Sequence, residues 1–123
     1  MFRVILKSKV HNARVTQSNI KYEGSITIDR AIMRAANFVA FERVQVSSLT
    51  TGARLETYVI EGAEGSGVIG LNGAAAKLVK KGEIVHIMSY SWLSDADTKK
   101  FMPLVVHLDS ENKVLKVTRG VSK

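Results

Sequence analysis

The chain has 123 residues, 46% of them hydrophobic and 24% charged, with no cysteine and a formal net charge of +7. That length fits one domain around one core, and the balance is that of a globular protein. Disulfides, thiolate nucleophiles and Cys-bound zinc are excluded, and no window approaches the roughly 18 apolar residues of a membrane span.

The N-terminal run Met1–Lys7 lacks the apolar stretch of a secretory signal, so the expectation is a cytoplasmic protein with no membrane partner. Arg3–Leu6 and Ala13–Thr16 read as strands, and Ser25–Ile28 has the alternation and β-branching of another. Asp29 then stands as an N-cap before Ile32, Met33 and Ala36, the apolar face of a short helix ending near Asn37. Val44–Leu49 and Arg54–Ile60 resume β character on either side of a Thr51-Gly52 turn. The glycine-dense stretch from Gly62 to Gly70 returns to extended structure at Val68-Ile69. A brief helix is expected over Gly73–Val79, closed by Lys80-Lys81-Gly82. Glu83–Tyr90 is apolar at both parities, which predicts a central, buried strand. Ser94 with Asp97 caps a short helix reaching to Phe101, and Pro103–Leu108 with Val114–Thr118 form a closing hairpin. About eight short strands in this length predict a mainly β domain over 1–123 that closes into a barrel, because closure removes exposed edges.

The positive charge is uneven: residues 1–22 hold Arg3, Lys7, Lys9, Arg14 and Lys21 and no acid. A solvated basic face accounts for that, and a pocket for an acidic metabolite is the sharper alternative. Single-strand nucleic-acid sites interleave basic residues with aromatics, and only Phe2 and Tyr22 occur here, so no nucleic-acid partner is expected.

Gly65-Ser66-Gly67-Val68-Ile69-Gly70 spells G-x-G-x-x-G, but it leads into strand-forming residues where a dinucleotide fingerprint must open a helix. A β turn is the better reading. His11, His86 and His107 share no metal-ligand spacing, and no metal is expected. His86 and His107 lie in apolar runs and read as structural; His11, in a polar stretch beside Lys9, is the functional candidate. Ser25 follows Gly24, whose bare backbone leaves its carbonyl open to close approach. A serine hydroxyl there can attack that carbonyl, turn the amide into an ester and, after elimination and hydrolysis, leave an N-terminal ketone.

Gly-Ser alone is a common turn dipeptide. Its surroundings carry the weight. Tyr22-Glu23-Gly24-Ser25-Ile26-Thr27-Ile28-Asp29 resembles the self-cleavage segment of aspartate 1-decarboxylases, with Lys9 and His11 ahead of it at the family's spacing. Thr51–Tyr58 and Leu71–Ala76 resemble the family's two other signature stretches.

The resemblance implies a double-psi β-barrel with short helices, assembled as a homotetramer with active sites between subunits. It implies cleavage between Gly24 and Ser25 into chains 1–24 and 25–123, with a pyruvoyl cofactor made from Ser25 and no pyridoxal phosphate. It implies decarboxylation of L-aspartate to β-alanine through a Schiff base, in pantothenate biosynthesis. By the same resemblance Tyr58 is the proton donor, Arg54 and Lys9 hold the retained carboxylate, and Thr57 serves both self-processing and substrate. Asn72, Gly73, Ala74 and Ala75 form the substrate-binding turn, and His11 and Tyr22 belong to the same pocket. Two positions depart from the family: some members have tryptophan where this chain has Ser47, and an aliphatic residue where it has His86. Spontaneous and assisted cleavage both stay open, so a maturation factor counts among the expected partners. The rival reading is a small basic barrel that binds a partner without chemistry; it requires an intact chain.

Overall fold

In the computed structural model, which describes residues 1–120, the strands and helices alternate irregularly along the chain. They are β1 (Phe2–Arg14), β2 (Gln17–Asn19), β3 (Ser25–Asp29), α1 (Arg30–Ala36), β4 (Arg43–Ser48), β5 (Arg54–Gly62), β6 (Ile69–Asn72), α2 (Ala75–Leu78), β7 (Ile84–Ser94), α3 (Asp95–Thr98), β8 (Leu104–Leu108) and β9 (Val114–Arg119). The protein is mainly β, as its composition of short β-branched runs predicts. Its strands pair in the order β2-β6-β3-β5-β4-β7-β1-β8-β9, with β2 and β9 as two ends that do not pair with each other, so the sheet is not the closed ring expected from the sequence. Three of these pairings are parallel, β1 with β8, β2 with β6 and β3 with β5, and the others are antiparallel. No helix among the described residues is long and apolar enough to cross a membrane.

Register explains where the core sits. Val106, Val10, Ile87, Val46 and Leu55 stand side by side across β8, β1, β7, β4 and β5. The first four are fully buried, and Leu55 packs against them. Each such aliphatic side chain contributes about 1.5–3 kcal/mol on leaving water. Because strand side chains alternate, the neighbouring row of the same five strands must face the other way. That row is His107, His11, His86, Ser47 and Arg54.

Helix α1 forms as its sequence predicts. The Asp29 carboxylate accepts from the Ala31 N–H at 2.8 Å, and Asn37 closes the helix in the left-handed conformation. The cap is worth about 1 kcal/mol. Asp29 also receives the N–H groups of Gly65 (3.0 Å) and Gly67 (2.8 Å). The glycine-rich run is therefore a structural nest for an internal carboxylate. Burial pushes the Asp29 carboxyl up, but the three backbone donors and nearby Lys113 outweigh it and hold it below the usual range. Gly67 has φ +72, and a Cβ there would lie 2.7 Å from the Glu111 carbonyl oxygen, so glycine is required.

Several elements differ from expectation. The two strands expected over Arg3–Leu6 and Ala13–Thr16 are one, β1, carried through its polar middle by register shifts at Leu6/Ser8 and Val10/Ala13. Asn12, at φ +61, absorbs the second shift. β7 is central, between β4 and β1, but it is buried on one face alone: Val85, Ile87 and Ser89 are covered while His86 and Met88 are half-open. Helix α2 is shorter than Gly73–Val79, and α3 stops at Thr98, with Ser94 accepting from Asp97 N as its cap. β2 is supported by its parallel pairing with β6, a nonlocal contact that its own sequence does not announce.

Candidate active site

The predicted site residues fall into two groups. The first gathers at the start of β3. Ser25 is 2% exposed, and its Oγ accepts a hydrogen bond from Asn72 Nδ2 at 2.9 Å while donating to the Glu23 carbonyl at 3.3 Å. Antiparallel register sets Asn72 directly opposite Ser25, which is why the two side chains meet. The second Nδ2 proton goes to Thr27 Oγ1 at 3.0 Å, while Asn72 Oδ1 is buried with no partner. Thr27 was not singled out from the sequence; the Ser-x-Thr spacing on a strand, which sends both hydroxyls to one face, is the signal that marks it.

Gly73 seats the segment that precedes Ser25. At φ +65, a Cβ on it would fall 2.7 Å from Gly24 N, 2.8 Å from Gly24 Cα and 2.9 Å from the Tyr22 carbonyl oxygen. Its own N–H donates to Asn19 O at 2.8 Å, so this amide serves the fold. Gly24 itself is different from what its place in the sequence suggests. It has no positive φ, and a Cβ there would meet nothing within 4 Å. Close packing in this corner depends on Gly73, not on Gly24. Tyr22 is exposed at the surface of the same loop, Ala74 is exposed, and Ala75 opens α2.

Tyr58 lies next to this corner through the parallel β3–β5 ladder. The ladder begins with Ile26 opposite Val59, so Ser25 and Tyr58 are the residues that immediately precede its first pair. The Tyr58 ring stands 6.3 Å from that of Phe41. Thr57 pairs with Val44 across β4. Neither residue takes part in the hydrogen bonds of Ser25 Oγ, which go to Asn72 and Glu23.

The second group is the row on the open face of the sheet. His11 and His86 stack with ring centroids 4.3 Å apart and 17° between planes, and His107 lies 5.6 Å from His11. Lys9, two residues before His11, shares their face. Lys9, His11 and His107 line a cavity of about 280 Å³ with Leu6, Pro103 and Val105. A larger cavity of about 530 Å³ beside Asn12, Arg14 and Leu49 contains none of the predicted site residues. Burial, then the charge of Lys9 and then His107, lower the His11 pKa. Burial, Lys9 and His11 lower that of His86 to about 4. Both shifts favour the neutral ring. Arg54 ends the row, opposite Ser47, and is exposed.

The three histidines share no sequence spacing, yet register makes them neighbours. That grouping required knowing that β8 lies parallel to β1, a pairing between segments nearly a hundred residues apart. Arg54 and Tyr58 are four residues apart on β5, about 13 Å at roughly 3.3 Å per residue.

A mainly β fold thus carries a buried serine clamped by an asparagine and an open row of basic side chains. A family model described as aspartate decarboxylase matches residues 1–115. An aspartate 1-decarboxylase of Pelotomaculum thermopropionicum is 51% identical over 120 residues, covering 98% of this chain and 91% of its own. One from Clostridium botulinum is 50% identical over 114 residues, 93% and 90% of the two chains, and one from Porphyromonas gingivalis is 50% identical over 116, 94% and 98%. The chain belongs to the aspartate decarboxylase family.

Proposed function

We propose that this protein decarboxylates L-aspartate to β-alanine for pantothenate biosynthesis, in the cytoplasm, after cutting its own backbone between Gly24 and Ser25. The observation that carries the reading is the clamp at Ser25. A buried serine is held by Asn72 Nδ2, at the end of a loop that a glycine must seat, in a chain of this family.

The bonds of the cut are made and broken by the chain's own groups, with one water consumed at the end. Ser25 Oγ adds to the Gly24 carbonyl carbon, the Gly24–Ser25 C–N bond breaks, and the amide becomes an ester. Loss of the Ser25 α-proton then expels the Gly24 carboxylate and leaves a dehydroalanine. Water adds, ammonia departs, and an N-terminal pyruvoyl ketone remains. The corner suits that group: Asn72 offers two N–H bonds to oxygens on this face, its Oδ1 has no partner, and Gly73 keeps side chains out. When formed, the ketone supplies an electron sink for the pair released with carbon dioxide. Asn72 and the turn Gly73-Ala74-Ala75 hold the substrate beside it, and Thr57, with His11 and Tyr22, helps the processing step. Tyr58, which like Ser25 immediately precedes the first pair of the β3–β5 ladder, returns a proton to the substrate carbon. Arg54 fixes the retained carboxylate with its planar fork, and Lys9 adds a second positive charge.

The reading includes, from the family resemblance, a homotetramer in which the row of one subunit faces the Ser25 corner of another. Exposed Phe2, Val4 and Trp92, with Val4 and Trp92 in register on β1 and β7, favour such a contact. The three parallel pairings within an otherwise antiparallel set favour a double-psi barrel as the finer description.

Denaturing mass spectrometry of the purified protein tests the cut. The expected result is a 24-residue piece and a 99-residue piece (123 − 24) whose first residue lacks its amino group. Ser25→Ala should give one uncut, inactive chain. A native chain that is cut only after exposure to cell extract assigns the step to a maturation factor. A chain uncut under all conditions sinks the reading.

A further inference from the structure

His86 has no role in the reading above, yet it sits in the middle of the row that reading uses. Its imidazole lies face to face with His11 at 4.3 Å. Its Nδ1 accepts the backbone N–H of Asn12 at 3.2 Å, so the neutral ring carries its proton on Nε2. Asn12 is the bulge residue that re-aims β1 just after His11, which ties the ring of one strand to the backbone of the other. His86 stands directly opposite Ser47, whose Oγ is buried without a partner, and Ser47 is opposite Arg54. His86 and Ser47 are thus direct cross-strand partners, and the small side chain at 47 leaves room for the ring at 86.

We infer that His86 is a positioning residue: its stacked ring holds the His11 imidazole in the row that, with Lys9 and Arg54, receives the retained carboxylate of the substrate. The inference rests on the decarboxylase reading for its substrate but not for its geometry. A ring clamped by Asn12 on one edge and laid against His11 removes one face of His11 from water and limits its rotation. The charged and titratable groups facing the pair are Lys9 and His11 itself on β1, His107 on β8 and, through Ser47, Arg54 on β5. All are basic. A neutral His11 in that company adds a polar contact without adding repulsion between cations.

The test uses the full-length protein carrying His86→Ile or His86→Phe, each followed by the NMR titration of His11 and by aspartate kinetics. In the native protein His11 should titrate below the ordinary imidazole range. In His86→Ile it should move up toward that range, and KM for aspartate should rise roughly five- to tenfold with kcat changed much less, as for loss of one positioning contact. His86→Phe, which keeps a flat ring against His11, should restore both. An unmoved His11 titration in His86→Ile overturns the inference, and so does a His86→Phe protein that behaves like His86→Ile. If the protein, once cut at Gly24–Ser25, does not turn over aspartate, the decarboxylase reading fails, and the NMR titrations still decide whether His86 positions His11.

Discussion

The Ser25 corner and the histidine–arginine row are built on opposite terms. At the corner most features are internal: Ser25 and Asn72 are buried, Asn72 Nδ2 donates to Ser25 and Thr27, and a Cβ on Gly73 would strike the Tyr22–Gly24 backbone. The row is open, cationic and held by stacking. Among the described residues Lys9 and Arg54 form no ion pair, whereas Lys7 on the same strand pairs with Glu42 at 2.7 Å. A site that must react with its own backbone needs fixed geometry before any ligand arrives, because orientation supplies much of the rate. A site that must accept a diffusing anion needs unpaired charge and access. The contrast predicts that damage at the corner appears in processing and stability, and damage in the row in substrate binding.

Four changes sharpen that contrast, beginning with the largest effect. Tyr58→Phe, beside the corner but off the hydrogen bonds of Ser25, should be cut normally and lose about 100-fold or more in kcat. Mass spectrometry with steady-state rates separates the two effects, and full turnover would reassign the proton donor. Arg54→Lys, at the far end of the row, should leave cleavage intact and raise KM for aspartate about tenfold, since an ammonium lacks the two-pronged fork. Unchanged KM would remove Arg54 as the carboxylate clamp. Gly73→Ala should cost about 1–3 kcal/mol, measured by denaturant unfolding, and slow the cut, because its Cβ strikes the Tyr22–Gly24 backbone at a positive φ. Gly24→Ala, with open space around it, should change stability by less than about 0.5 kcal/mol. Equal costs at the two glycines would mean that the corner is not seated by Gly73.

The smallest effect is a pH slope. His86 has an ordinary value of 6.5 when unfolded and about 4 in the fold. Between those limits the unfolded chain takes up a proton that the folded chain refuses. Stability is therefore full above pH 6.5 and declines as pH falls toward 4, with His11 contributing in the same direction. Thermal unfolding between pH 7 and pH 4 should show Tm falling, and His86→Ile should flatten the fall. Because His86 is partly open to solvent, the slope is modest, and an identical slope in the variant would place its origin elsewhere.

Local chemistry made much of this protein legible before any fold was known. The Asp29 cap and the helix end near Asn37, the strand character of Ser25–Ile28, and the turn at Thr51-Gly52 depend on neighbours within a few residues, where propensity and capping decide. The family motifs likewise lie in short contiguous runs. What escaped the sequence was set by partners distant along the chain. β1 reads as two strands because its polar middle breaks the alternation, and only pairing with β7 and β8 carries it through. Glu83–Tyr90 reads as buried on both sides because Ile84 and Met88 are apolar, though the face they share with His86 is half-open. The need for glycine at 73 rather than 24 follows from which backbone lies across it, and the meeting of His11, His86 and His107 from the register of three strands. Sequence by itself determined the element types, the candidate serine and the family, since those depend on near neighbours and on residue identity. The tertiary structure alone decided which side chains touch, because strand order and register are properties of contacts across the whole chain.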